Sequence, residues 1–157
     1  MDEAGRTELV SAVVADVQAL SAESDQIGRT FAGVHQLSAN DFRALVYIMV
    51  AENAGTPLTA GELRTRMGLS GAAITYLVER MIESGHLRRD SDPADRRKVI
   101  LRYADHGMEV ARAFFTPLAT HTHSAMADLP DEDLAAAHRV FTAVLAAMTA
   151  FRADLGS

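Results

Sequence analysis

The 157-residue sequence contains no cysteine, which excludes disulfides, thiolate metal sites and thiol-based redox sensing within it. Lysine is almost as scarce, with Lys98 the only one, and 15 basic side chains stand against 21 acidic ones for a formal net charge of -6. A protein coated in nucleic acid over its whole surface would not carry that balance. The opening MDEAGRTELV is acidic and has neither a basic n-region nor an apolar core, so no signal peptide is expected and the cytoplasm is the expected location. No apolar run approaches the roughly 20 residues that cross a bilayer, so no membrane partner is expected.

What charge there is lies unevenly. Between Glu62 and Arg102 nine basic residues meet six acidic ones, so that stretch is +3 and the rest of the chain -9. An acidic body with one basic segment can bind DNA there while repelling it elsewhere.

Helical periodicity dominates, and the length fits one domain with helical extensions. Leu9, Val10, Val13, Val14, Val17 and Leu20 recur at helical spacing, followed by Ile27, Phe31 and Val34, which predicts one long helix from about Glu3 to His35, bent near Ser21 to Ser24. Ser38 or Asn40 caps a second helix, FRALVYIMVAENAG, apolar almost all round and therefore expected to be buried. Thr59 with Glu62 three residues later makes a capping box, Gly68 stops that short helix, and Ser70 caps the next, which ends at Gly85. Two helices joined by a glycine-containing turn make a helix-turn-helix. HLRRD, the turn formers DSDPADRR and the alternating KVILRY then predict a two-stranded hairpin, too small to stand alone and so packed on the neighbouring helices as a wing. Asp105 to about Asp128 is helical, with Val110, Phe114, Leu118 and Met126 on one side and a kink expected at Pro117. The last helix starts at Asp131 and carries Leu134, Ala137, Phe141, Val144, Met148, Phe151 and Leu155 at alternating spacings of three and four. Such a single-faced seam calls for a partner helix. The fold class is mainly α with a small β-hairpin wing, about six helices, dimerising through its N- and C-terminal helices.

A helix-turn-helix places the N-terminal end of its second helix at base edges in the major groove. Here that end offers Ser70, Ala72, Ala73, Thr75 and Tyr76, while Ile74, Leu77, Val78 and Met81 face the core. The hairpin tip adds Asp95, Arg96, Arg97 and Lys98. An arginine entering a narrow minor groove gains from the enhanced negative potential there, and Asp95 is expected to orient a neighbouring arginine.

The stretch from Leu58 to Gly107, and above all DPADRRKVIL, resembles the MarR family (multiple antibiotic resistance regulators), whose wing signature is an aspartate, two intervening residues, then Asp-Arg-Arg before an alternating strand. The similarity extends over roughly Leu9 to Leu155. It implies a homodimer on double-stranded DNA, with residues 1–36 and 105–157 as the dimerisation region and 37–104 as the DNA-binding lobe. Arg97 corresponds to the wing-tip arginine. Repression of nearby genes, and release from DNA on binding a small aromatic effector, follow from the same resemblance. Tyr76 stands where the family often has arginine, Gly71 and Ala72 are unusually small, and Ala104 lacks the hydroxyl that would cap the next helix.

Phe31, His35, Arg43 and Tyr47 form a candidate ligand pocket near the junction of the first two helices, with Arg43 as the partner for an anion. Ser70 within GLSGA superficially resembles a nucleophile elbow, but a helix precedes it and Ala72 fills the last glycine slot, so no catalytic residue is assigned. The histidines, with His121 and His123 on different sides of a helix, assign no metal. A winged-helix protein-interaction module without DNA binding is the alternative.

Overall fold

The computed structural model describes residues 2–155, which form six helices and one antiparallel two-stranded sheet. The chain divides into two compact units, the first ending at Phe114 and the second starting at Phe115.

In the first unit, α1 (Glu3–Val34) starts at Asp2, whose carboxylate accepts from the Gly5 amide at 2.9 Å. The helix is continuous through Ser21–Ser24; Ser21 turns its hydroxyl back onto the Val17 carbonyl at 2.9 Å. It buries only Gly28 and Ala32, leaving Leu9, Val10, Val14 and Leu20 exposed. Gly28 marks the close approach to α2 (Ala39–Asn53): a Cβ there would sit 2.6 Å from the Phe42 ring. Ser38 caps α2 and Asp41 completes the capping box. The expectation of all-round burial for α2 needs correction. Ala44, Leu45, Ile48 and Ala51 are buried, whereas Val50 is half exposed, because only one face of α2 joins the core.

The helix-turn-helix is α3 (Ala60–Met67) and α4 (Gly71–Glu83). Gly68 turns between them at φ 67°, a left-handed conformation that favours glycine. Ile74, Leu77, Val78 and Met81 of α4 are all buried against Leu45, Ile48 and Leu63, each burial contributing roughly 1.5–3 kcal/mol. The hairpin is β1 (Leu87–Ser91) and β2 (Val99–Tyr103), in register from Leu87 opposite Tyr103 to Ser91 opposite Val99. Its root is wider than the sequence implied. Thr59 bridges Ile100, and the Leu101 amide donates to the Leu58 carbonyl at 2.7 Å, so the segment before α3 supplies a third backbone. Tyr103, with its burial pushing the phenol pKa up, donates to the Leu45 carbonyl.

Helix α5 (Asp105–Met126) runs through Pro117. Its first turn buries Gly107 and Val110, and Phe114 meets Phe31 and Phe42 at ring-centroid separations of 4.7 and 5.0 Å; Met126 is exposed. In the second unit, α6 (Asp131–Leu155) buries none of its residues, and Phe141, Leu145, Met148, Phe151 and Leu155 are all exposed. By length and composition α6 could cross a membrane, its most apolar 18 residues having a mean hydropathy of 1.5. That corrects the expectation that no stretch is long and apolar enough. Its eight alanines, at positions 135–137, 143, 146, 147, 150 and 153, carry the hydropathy between the large residues, although His138 and Arg139 interrupt it.

Candidate nucleic-acid interface

The exposed end of α4 is built from small residues and two committed hydroxyls. Ser70 accepts from the Ala73 amide at 3.2 Å, so it is the helix cap. Thr75 donates to the Gly71 carbonyl at 2.9 Å. Gly71, Ala72 and Ala73 are exposed and present no side-chain polar group. Tyr76 is 67% exposed, a large ring on an otherwise low surface.

The hairpin tip is a folded turn. Asp92 accepts from the Ala94 amide at 2.8 Å, the Lys98 amide donates to the Asp95 carbonyl at 2.8 Å, and the Asp92 amide donates to the Lys98 carbonyl at 3.0 Å. Asp95 Oδ1 accepts from both the amide and Nε of Arg97, at 3.1 and 3.3 Å. The Arg97 side chain is 92% exposed, and only Nε is used, so its two Nη groups face outward from a fixed base. Asp95 thus takes the orienting position expected for it.

Four of the nine cations of this segment are spent on structure. Arg89 pairs with Glu79 of α4 at 2.6 Å. Arg88 pairs with Asp90 at 3.1 Å and donates to the Tyr103 carbonyl at 2.8 Å. Arg102 pairs with Glu52 at 3.2 Å, and Arg80 with Asp41. Among the described residues Arg64, Arg66, Arg96 and Lys98 make no ion pair, and all four are exposed. Together with Arg97 they lie on α3 and the wing tip, and Arg66 and Lys98 line one shallow depression. The hydrogen bonds from the Thr59 backbone and then its hydroxyl hold the Glu62 carboxyl below its usual range, so this acid is committed to the α3 cap.

The candidate pocket residues separate into two groups. Arg43 and Tyr47 line a cleft of about 290 Å³ with Gly28, Ala39, Phe42 and Val46. Phe31 and His35 do not line it: their rings stack at 4.1 Å in the aromatic cluster with Phe42 and Phe114. Phe42 belongs to both.

Sequence reasoning passed over two parts of this region. Arg80 was counted only as one positive charge, although its place four residues after Tyr76 puts both on one helix face. Its guanidinium lies 5.3 Å from the Tyr76 ring centroid. The His86–Gly107 junction, where a Cβ on Gly107 would come within 1.9 Å of the His86 carbonyl oxygen, had no sequence signal beyond the glycine itself.

The model of the MarR family matches residues 35–98, the span from the end of α1 to the wing tip. An uncharacterised HTH-type transcriptional regulator of Bacillus subtilis (strain 168), YcgE, is 34% identical over 82 residues, which are 52% of this chain and 53% of that protein. The chain therefore matches about half the length of that relative. A MarR family protein from Bacillus stearothermophilus superposes with a TM-score of 0.64 at 23% identity, over 95% of this chain and 99% of the other. The S. aureus MepR–DNA complex gives 0.56 at 14% identity, over 84% and 93%. The latter two likenesses establish the fold. The segment 35–98 is thus similar to the MarR family model, and the chain as a whole has the fold of the solved MarR family proteins on which it superposes.

Proposed function

We propose that this chain is a sequence-specific, DNA-binding transcriptional regulator that acts as a homodimeric repressor, with 37–104 as the DNA-binding lobe and 1–36 and 105–157 as the dimerisation region. The observation that carries the reading is the wing tip: Arg97, its side chain almost wholly exposed, is held at its base by Asp95 on a hairpin fastened to a helix-turn-helix. Arg97 enters a minor groove, Arg96 and Lys98 contact phosphates, and the N-terminal end of α4 enters the adjacent major groove. Most other cations of the segment are neutralised in place, so DNA affinity rests on few groups and falls off outside the lobe, where the chain is acidic. The DNA complex known for MepR, a protein of the same fold, supports this assignment.

The exposed apolar faces of α1 and α6 support a second copy as their partner, since stripes of that length are costly in water. Two lobes related by a two-fold axis read a pseudo-palindrome with half-sites roughly 10 bp apart. The cleft beside Arg43 takes a small aromatic anion, whose binding shifts the balance between dimer geometries.

The test is fluorescence anisotropy with duplexes selected from a random pool, repeated across salt concentrations. Counterion release makes affinity fall steeply as salt rises. Affinity for no duplex at low salt would favour the protein-interaction alternative, whose motive is the small, hydroxyl-spent face of α4.

A further inference from the structure

We propose that Tyr76 is the side chain with which α4 distinguishes bases, and that Arg80 is the positioning residue that aims it; this rests on the DNA-binding reading above. The first support is reach. At the exposed start of α4, Gly71, Ala72 and Ala73 have no hydrogen-bonding side chain, the Ser70 oxygen is engaged by the Ala73 amide, and the Thr75 hydroxyl proton is given to the Gly71 carbonyl. Ser70 keeps its proton and Thr75 its acceptor lone pairs, but both hydroxyls sit on short side chains turned to the helix backbone; Tyr76, one turn further on and 67% exposed, is the polar side chain there with the reach for a directional bond to a base edge.

The second support is how Tyr76 is held. An exposed tyrosine on a helix ordinarily samples several rotamers and gives up that freedom on binding. Here the Arg80 guanidinium lies 5.3 Å from its ring centroid, within cation–π range. Arg80 is in turn tied to Asp41 on a different helix, 39 residues away in sequence. Asp41 is mostly buried and is itself fixed: its Oδ2 accepts from the Ser38 amide at 3.0 Å while its Oδ1 accepts from Arg80. Ring, guanidinium, carboxylate and the first turn of α2 thus form one chain of contacts. An arginine so anchored is poorly placed to leave for a phosphate, which separates its role from that of Arg96 or Lys98. A phenol proton offered in the major groove suits an acceptor such as the O6 or N7 of guanine or the O4 of thymine.

The experiment uses the full chain with duplexes selected from a random pool and variants of them altered singly along each half-site, titrated at several salt concentrations. The proteins are wild type, Tyr76→Phe, Arg80→Met, Arg80→Lys and Asp41→Asn, each with a thermal melt. Wild type is expected to discriminate roughly tenfold at one position per half-site. Tyr76→Phe should lose that discrimination and keep the rest. Arg80→Met should lose the same position with the slope of log affinity against log salt unchanged, and Arg80→Lys, which retains a cation over the ring, should recover part of it. Asp41→Asn releases Arg80 while keeping an acceptor for the Ser38 amide, and serves in place of Arg80→Met should that variant fail to fold. Two results overturn the proposal: full discrimination by Tyr76→Phe, or an Arg80→Met variant that weakens all sequences equally and lowers the salt slope by about one, the mark of a phosphate contact. Failure of the underlying reading is told apart because wild type itself would then bind no duplex.

Discussion

Asp95 and Arg97 are two residues apart, and one carboxylate oxygen of the first accepts from both the backbone and the side chain of the second. The arginine is aimed by a partner that leaves its Nη groups free. A pair this exposed adds little to stability, about 0–1 kcal/mol at most. Its effect is directional. Arg97→Ala is expected to weaken binding to a selected duplex by about 1–3 kcal/mol with an unchanged melting temperature. Asp95→Ala should weaken it less, by freeing the arginine without removing it. Anisotropy titrations at moderate salt measure both, and unchanged binding by Arg97→Ala would remove the wing tip from the mechanism.

Gly107 faces the opposite constraint, one of space. The backbone of the turn between α4 and β1 passes so close that any Cβ would meet the His86 carbonyl oxygen at 1.9 Å. Backbone cannot yield as a side-chain tip can. Gly107→Ala is therefore expected to destabilise the lobe by about 3 kcal/mol or more, the upper end of overpacking costs. Gly33→Ala, with nothing within 4 Å, serves as the matched helical control and should be neutral or slightly stabilising. Urea titrations followed by circular dichroism compare the two.

His86 gives the lobe an acid sensitivity. The ring is buried, its Nδ1 lies 2.7 Å from the Ser84 hydroxyl, and its Nε2 has no partner among the described residues. Burial first, and then the neighbouring His106 ring at 4.5 Å, lower its pKa from 6.5, with Asp41 opposing. Above 6.5 both folded and unfolded forms are neutral and the contribution is fully present. As pH falls below that value the unfolded chain takes up a proton that the native lobe resists, so stability declines until the lower native pKa is passed. His86→Phe should flatten that dependence between about pH 7 and 5, measured as melting temperature against pH. A slope equal to wild type would assign the acid sensitivity elsewhere.

The apolar seam of α6 predicts association. Phe151 is 64% exposed and Leu155 72%, with Phe141 and Met148 about half exposed. If the proposed dimer forms through this helix, wild type should sediment as a dimer at micromolar concentration and the variant with both Phe141 and Phe151 replaced by glutamate as a monomer. Persistence of a dimer would place the interface away from this helix.

Local chemistry was legible in the sequence. The Thr59–Glu62 box, the Ser70 cap and the glycine stops at Gly55, Gly68 and Gly85 concern residues within a turn of one another, and each stands where the residue types indicated; of the two caps open for α2 the structure uses Ser38, with Asp41 adding a box the residue types had not singled out. The wing was legible for the same reason, since alternation and turn formers are short-range signals. Partnerships across the fold were not. Nothing local says that Asp41 would meet Arg80, that Leu58 would lend its carbonyl to the hairpin, or that Phe31 and His35 would stack on each other while Arg43 and Tyr47 lined the cleft. The same periodicity that identified α1 could not say that most of its large apolar residues remain outside the lobe.

The bond from the Leu101 amide to the Leu58 carbonyl, with Thr59 bridging Ile100, has a mechanical consequence. Leu58 and Thr59 lead straight into α3, and Arg89 of the arm is tied to Glu79 of α4. The root of the arm is therefore coupled to both helices of the motif, so a tilt of the arm would strain its contacts with each. On the proposed DNA-binding reading, wing tip and α4 would then meet a duplex as one piece, and any adjustment between their two grooves would fall to the DNA.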